Sequence, residues 1–287
     1  MLVCVNSVGE RQDMTEKLLL INDLAGYGKV ALGAMMPVLT HMGFDLYTLP
    51  TALVSNTLDY GSFEILDTTD YIEGTLRVWD ELGFSFDAVA TGFITGERQA
   101  KLIASFCAKQ QEKGVPVFVD PIMGDEGRLY NGVGREAIIH MRELLASSDV
   151  AVPNYTEACL LTGAPYAGAQ GMSKQEARRL MDFLRTICPK SVIITSAAID
   201  RHPAVIGYDH ERDEHFTIRF EEIPVRFPGT GDIFSSMLMG KKLLGLTLED
   251  ATACAMHVVK DLIRLNQNAP DTFKGIPVER YLSKLTR

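Results

Sequence analysis

The chain has 287 residues, is 46% hydrophobic and carries a formal net charge of −9, enough material for one large α/β domain or two small ones. An acidic chain without a basic stripe argues against nucleic acid as a partner, and no apolar run approaches the length of a membrane span. The five cysteines (Cys4, Cys107, Cys159, Cys188, Cys254) are odd in number, widely spaced and without a Cys-x-x-Cys pair, which excludes a disulfide framework or zinc knuckle and points to a reducing, cytoplasmic setting.

The first residues lack the basic start and long apolar core of a signal peptide; Met14 closely precedes the first strand, so 1–13 are expected to be a disordered leader or a start-site artefact, and 14–287 a single domain. Short, largely β-branched apolar runs at 18–21, 47–53, 88–90, 115–119, 150–152 and 192–195 predict buried strands. Amphipathic stretches at 29–42, 70–83, 97–113, 134–146, 156–162 and 174–187 predict the helices between them. Pro50 and Pro116 fall inside two of the strand runs, where a missing N–H is costly. Two further strands at 204–208 and 215–220 read as an antiparallel pair around a charged turn, and helices at 231–244 and 249–266 close the chain. Alternating strands and helices predict a three-layer αβα fold, with a mostly parallel central sheet and helices on both faces.

In such a sheet, ligands sit beyond the carboxyl ends of the strands. Those ends carry Asn22-Asp23, Asn56-Thr57, Thr91-Gly92-Phe93, Asp120-Pro121, Asn154 and Thr195-Ser196. Asn, Asp and Thr are also ordinary turn and cap residues. Asp120 to Asp125 places two acids on one loop, which suits a hydrated Mg2+ shared with phosphates; taken alone, an exposed Asp-Pro turn is the plainer reading. Asn154 and Glu157 have the spacing of a helix capping box, and the functional alternative puts both near phosphates. Gly26-Tyr27-Gly28 fits part of a dinucleotide fingerprint, but the second strand ends without the acid a ribose needs; the two glycines are expected to admit a substrate. The most telling segment is Gly229-Thr230-Gly231-Asp232, which runs straight into an apolar helix. The open N–H groups and dipole of a helix N-terminus bind phosphate, and glycines let it approach. A carboxylate beside an anion site is useful when it acts on a neutral hydroxyl, which points to phosphoryl transfer to an alcohol.

Taken in order, Gly26-Tyr27-Gly28, Ser55-Asn56, Thr91-Gly92-Phe93, Asp120 to Asp125, Pro153 to Glu157, Ile194-Thr195-Ser196 and Gly229 to Asp232 resemble the ribokinase-like superfamily, and within it the pyridoxal/pyridoxamine kinases, over residues 17–265. The resemblance implies ATP-dependent phosphorylation of the 5′-hydroxymethyl group of pyridoxal, pyridoxamine or pyridoxine. It implies Asp232 as catalytic base, also touching substrate, and Gly229, Thr230 and Gly231 as the anion hole. Asp120, Asn154, Glu157, Thr195 and Ser196 would serve ATP; Asp125 and Glu157 would serve Mg2+; Asp23, Asn56, Thr57 and Phe93 would face the pyridine ring. A homodimer and a monovalent cation such as K+ are also implied. Asp23-Leu24 stands where members read Ser-His, and Ser55-Asn56-Thr57-Leu58 where they read Ser-Asn-His-Thr; both departures bear on vitamer preference and on the cation. The segment Thr51 to Thr57 is also similar to hydroxymethylpyrimidine kinases, which usually carry Cys in place of Asp232. A nicotinamide-dependent oxidoreductase built on Gly26-x-Gly28 is the remaining alternative.

Overall fold

Leu18 and Leu20 lie on one side of the first strand, Leu19 and Ile21 on the other, and all four are fully buried. A strand with no polar face must be covered on both sides, and this requirement sets the architecture. The computed structural model describes residues 15–285; the leader expected at 1–13 lies outside them. In chain order the elements are β1 (Lys17–Tyr27), α1 (Leu32–His41), β2 (Asp45–Asn56), β3 (Ile65–Asp67), α2 (Thr69–Glu81), β4 (Ala88–Thr91), α3 (Glu97–Glu112), β5 (Val117–Val119), β6 (Gly124–Asp125), β7 (Arg128–Leu129), α4 (Ala137–Leu145), β8 (Val150–Ala151), α5 (Tyr155–Thr162), α6 (Lys174–Ile187), β9 (Ser191–Ile199), β10 (His202–Asp209), β11 (Glu214–Arg219), α7 (Thr230–Leu243) and α8 (Leu248–Asn266).

Nine strands form one sheet in the order β11-β10-β9-β8-β5-β4-β1-β2-β3. The five pairings from β9 across to β2 are parallel; β3, β10 and β11 add antiparallel edges. Helices α1, α7 and α8 cover one face through Leu32, Val38, Ile233, Met237, Ala255 and Leu262. The other face is covered from α2 to α6 by Ile72, Ile103, Met141, Leu161 and Leu180. The chain order reverses at β1, which has β2 on one side and β4 on the other. A crevice opens at such a reversal, beyond the carboxyl ends of the strands.

The expected three-layer fold is present, but β1 and β2 run further than their apolar cores, to Tyr27 and Asn56. Polar side chains ended both elements in the sequence reading; in the structure they are strand residues that look into the crevice. Gly26 is therefore inside a strand, not on a turn into a helix, so the dinucleotide reading loses its structural context. The two glycines also admit the neighbouring strand. A Cβ at Gly28 would meet Thr57 Cγ2 at 2.5 Å, and one at Gly26 would meet the Ser55 carbonyl oxygen at 3.1 Å, so the close neighbour is the end of β2 and the residue after it. Pro50 does lie in β2, opposite Asn22 at a register shift, and β3 pairs only with Ala52 to Val54, so β2 has a single hydrogen-bonded neighbour there. Pro116 just precedes β5.

Candidate active site

Gly229 caps α7 with φ 84°, and a Cβ there would meet the Lys29 carbonyl oxygen at 2.2 Å, so only glycine fits. The Thr230 hydroxyl donates to the Phe227 carbonyl (3.1 Å), fastening the turn to a buried ring. At Gly231 a Cβ would touch nothing, and the residue is exposed, which leaves the first turn of α7 open to an incoming group.

Asp232 follows and is buried. Its Oδ2 accepts the N–H of Ala31 (2.8 Å) and its Oδ1 accepts from Asn22 Nδ2 at a long 3.4 Å. Ala31 heads α1 with φ 47° and ψ −132°, a backbone region that costs a non-glycine residue about 1–3 kcal/mol. A hydrogen bond to a charged acceptor contributes about 1.5–3 kcal/mol, enough to hold that strain. Asn22 is held in turn: its Oδ1 accepts the N–H groups of Phe93 (2.8 Å) and Asp23 (3.0 Å), and a side chain at Gly92 would collide with it at 2.5 Å.

Burial pushes the Asp232 carboxyl up to about 6, although Ala31 and Asn22 pull it down. Burial and then the Asp232 charge push Asp23 up to about 7. The same two causes push Asp120 up to about 7, despite a hydrogen bond from Ser235 Oγ (2.8 Å). Asp120, Asp232, Asn22, Ser235 and Thr91 line a cavity of about 20 Å³, and the buried Thr91 hydroxyl has no hydrogen-bond partner among the described residues.

A larger cavity of about 140 Å³ opens beside it. Its walls include Asp23, Asn56, Thr57 and Phe93, the four residues expected to face a ring, together with Gly229 and Asp232. Thr57 turns its hydroxyl away, donating to the Phe273 carbonyl (2.7 Å), and Asn56 Nδ2 donates to the carbonyls of Thr57 (3.1 Å) and Ser62 (2.9 Å). The sequence singled out neither Asp59 nor Tyr130 and put the segment that holds Arg226 beside the adenine; all three line this cavity. Asp59 and Arg226 carry charges that could have signalled them, whereas nothing local marks the uncharged Tyr130. Burial pushes the Tyr130 hydroxyl well up, which keeps it a hydrogen-bond donor.

The remaining predicted residues gather at neighbouring strand ends. Asn154 caps α5: its side chain accepts the Glu157 N–H (2.9 Å) and donates to the Gly124 carbonyl (2.8 Å). Glu157 is buried, its Oε2 accepting the Asn154 N–H (2.8 Å) and its Oε1 that of Met123 (3.0 Å). Burial and the Asp120 charge raise its carboxyl well above the usual range. The capping box is thus real. Thr195 pairs with Asn154 in a parallel bridge, and a register shift leaves Thr195 and Ser196 together opposite Val205, with Ser196 at φ 53°. This bulge tips both residues out of the regular pleat at the end of the sheet's parallel part.

No group of three or more His, Cys, Asp or Glu side chains among the described residues can hold a metal by itself. A Mg2+ carried on nucleotide phosphates would need only one or two protein carboxylates. Asp125, half-buried, has Oδ1 engaged by the Glu126 N–H (2.8 Å) and Oδ2 without a hydrogen bond among the described residues, so one oxygen could serve it; Glu157 has both oxygens engaged by backbone N–H groups.

A profile of the phosphomethylpyrimidine kinase family matches residues 37–276. The chain belongs to the phosphomethylpyrimidine kinase family. Among its relatives, a pyridoxal kinase of Arabidopsis thaliana is 28% identical over 237 residues, covering 78% of this chain and 73% of that one. A pyridoxine/pyridoxal/pyridoxamine kinase of Bordetella pertussis is 28% identical, covering 84% and 86%. The solved structure of a Bacteroides thetaiotaomicron protein, described as a phosphomethylpyrimidine kinase and crystallised with pyridoxal, superposes with a TM-score of 0.90 at 31% identity, covering 96% of each chain. The ribokinase-like α/β fold of this phosphomethylpyrimidine kinase family member is thereby established.

Asp120 is ionised in the fold only against burial, so removing its charge should stabilise the ligand-free protein. Between pH 3.8 and about 7 the unfolded chain loses this proton first, and stability falls as pH rises through that window. Asp120→Asn is expected to raise the unfolding free energy by roughly 1 kcal/mol above pH 7, with the gain fading on acidification. Denaturant melts at two pH values check this; a destabilised variant at both would contradict it.

Proposed function

We propose that this protein transfers the γ-phosphoryl group of ATP to the 5′-hydroxymethyl group of a B6 vitamer. The observation that carries this reading is one cavity whose wall brings the Asp232 carboxylate and the Gly229 turn against Asp23, Asn56, Thr57 and Phe93. The relative that binds pyridoxal in its crystal supports the vitamer, and a Leishmania donovani pyridoxal kinase solved with ADP and ginkgotoxin (TM-score 0.85, 25% identity, 95% of this chain and 96% of that one) supports the nucleotide.

In this reading Asp232 takes the proton of the acceptor hydroxyl as the oxygen attacks phosphorus. A carboxyl titrating near 6 is ionised at neutral pH yet more basic than a surface aspartate. The amides from Gly229 to Gly231, at the positive end of α7, stabilise charge on the moving phosphoryl group. Asp120, Asn154, Thr195 and Ser196 bear on the ATP side, with Glu157 orienting the loop at Met123. Mg2+ supplies charge neutralisation on the phosphates, and Asp125 is the carboxylate that would hold it. We assign no step to K+. The buried thiols of Cys107, Cys159 and Cys188 are free, which supports a reducing compartment.

ADP release measured side by side with pyridoxal, pyridoxamine, pyridoxine and hydroxymethylpyrimidine tests the substrate. At least one vitamer should turn over faster than the pyrimidine. The family's description makes the pyrimidine the second reading, and the reverse order would favour it. Asp232→Asn should lower turnover about 10²–10⁴-fold while ATP still binds; near-normal turnover would remove the assignment.

We also infer a homodimer. Ala25, Val54 and Ile65 lie in register on β1, β2 and β3 and line the cavity. The next register row, Leu24, Leu53 and Leu66, falls on the opposite face and is 38%, 43% and 60% exposed. An apolar row across a sheet whose other face is used fits a second copy of the chain. Leu53→Asp is expected to shift the mass in solution from dimer to monomer while the chain stays folded by circular dichroism; light scattering that shows a wild-type monomer would contradict it.

A further inference from the structure

Arg226 is the one basic side chain among the described residues lining the larger cavity, whose walls also carry Asp23, Asp59 and Asp232. The segment from β11 to α7 brings it to the rim three residues before Gly229. Its Nη1 donates to Asp59 Oδ1, on the single 3-10 turn Leu58–Tyr60 that follows β2. Its Nε lies 3.9 Å from Asp125 Oδ2, too far for a hydrogen bond. Among the described residues the guanidinium makes no other hydrogen bond. One edge of a planar fork with five donors is thus fixed, and the remainder is unspent.

A phosphoryl group entering this cavity meets carboxylates on several sides, and the open turn of α7 answers that charge from one direction only. A guanidinium held by a carboxylate from another direction presents parallel N–H donors matched to a phosphate edge. We propose that Arg226, oriented by Asp59, binds the phosphoryl group as it arrives on the acceptor and so separates the phosphate ester from the alcohol. Asp59 sets the plane of the guanidinium and has no direct contact with the reacting atoms. Asp125 gives up its loose contact with Arg226 when the phosphoryl group takes its place. This inference rests on the kinase reading above.

The test is an equilibrium titration of pyridoxine and of pyridoxine 5′-phosphate, two ligands without an aldehyde to react with lysines, onto the full chain by calorimetry. Arg226→Gln is expected to weaken the ester by about tenfold or more and the alcohol by less than about threefold. Arg226→Lys should recover part of the loss, because the charge returns without the fork, and Asp59→Asn should shift the ester in the same direction by less. Thermal melts of each variant guard against unfolding. Equal weakening of both ligands, or an ester that binds Arg226→Gln as it binds wild type, would overturn the proposal and leave Arg226 a strap between two loops. No turnover is needed, so the two readings fail differently. A wild-type chain that binds neither ligand overturns the vitamer reading, and this inference with it.

Discussion

Two helices begin at the same carboxylate. Asp232, in the first turn of α7, accepts the N–H of Ala31 at the head of α1. The adjacent Gly229 is pressed against the Lys29 carbonyl two residues earlier. Neither helix can shift along its axis without breaking that contact, and Ala31 would leave a strained backbone region only by releasing the carboxylate. The tail of the chain closes the same junction. Lys29 donates its N–H to the Lys274 carbonyl (2.7 Å) and pairs with Gly275, while Phe273 receives the Thr57 hydroxyl. Residues distant in sequence therefore fix the position of one oxygen pair to within a hydrogen bond. A phosphoryl-transfer site, where positioning carries most of the rate, requires that fixity.

The sheet supplies the rest by running past its own core. Between 17 and 21, β1 is an ordinary buried strand; from Asn22 on it is a wall. A register shift at Asp23 leaves it opposite both Thr51 and Ala52 and re-aims its side chain into the crevice. The second bulge, at Thr195 and Ser196, lies at the far side of the parallel strands. In the proposed reading the acceptor groups and the nucleotide groups thus lie at opposite ends of one row of strand termini, with Asp120 and Asp232 between them. The consequence is a cluster of carboxyls, Asp23, Asp120, Glu157 and Asp232, each pushed up by burial.

Much of this was written in the chain. Periodicity placed α6 at the observed ends and most other helices within a few residues, because their apolar stripes face a sheet. The Gly-rich turn before an apolar helix was legible because only glycine suits the geometry at 229. Asn154 and Glu157 were legible as a cap because that pattern is local. The missing parts are non-local. Strands β3, β6 and β7 are two or three residues long and exist only through their partners. The extensions of β1 and β2 carry polar residues that look like loop until a ligand crevice is placed beside them. The packing of Gly26 and Gly28 against the end of β2 was hidden because nothing in one segment announces that another strand lies against it. Arg226, Asp59 and Tyr130 come from three separate loops, and no spacing in the sequence joins them. The role of Asn22 as the bracket between Asp232 and Phe93 was hidden for the same reason.

The central claim is that the fold holds one aspartate buried, ionisable and hydrogen-bonded at the meeting point of two helices. Its direct measurement is the titration of the Asp232 carboxyl carbon by NMR in aspartate-labelled protein, assigned by comparison with Asp232→Asn. The account predicts a midpoint near 6, well above the ordinary 3.8. A midpoint at the ordinary value, as for a carboxylate in water, would contradict it.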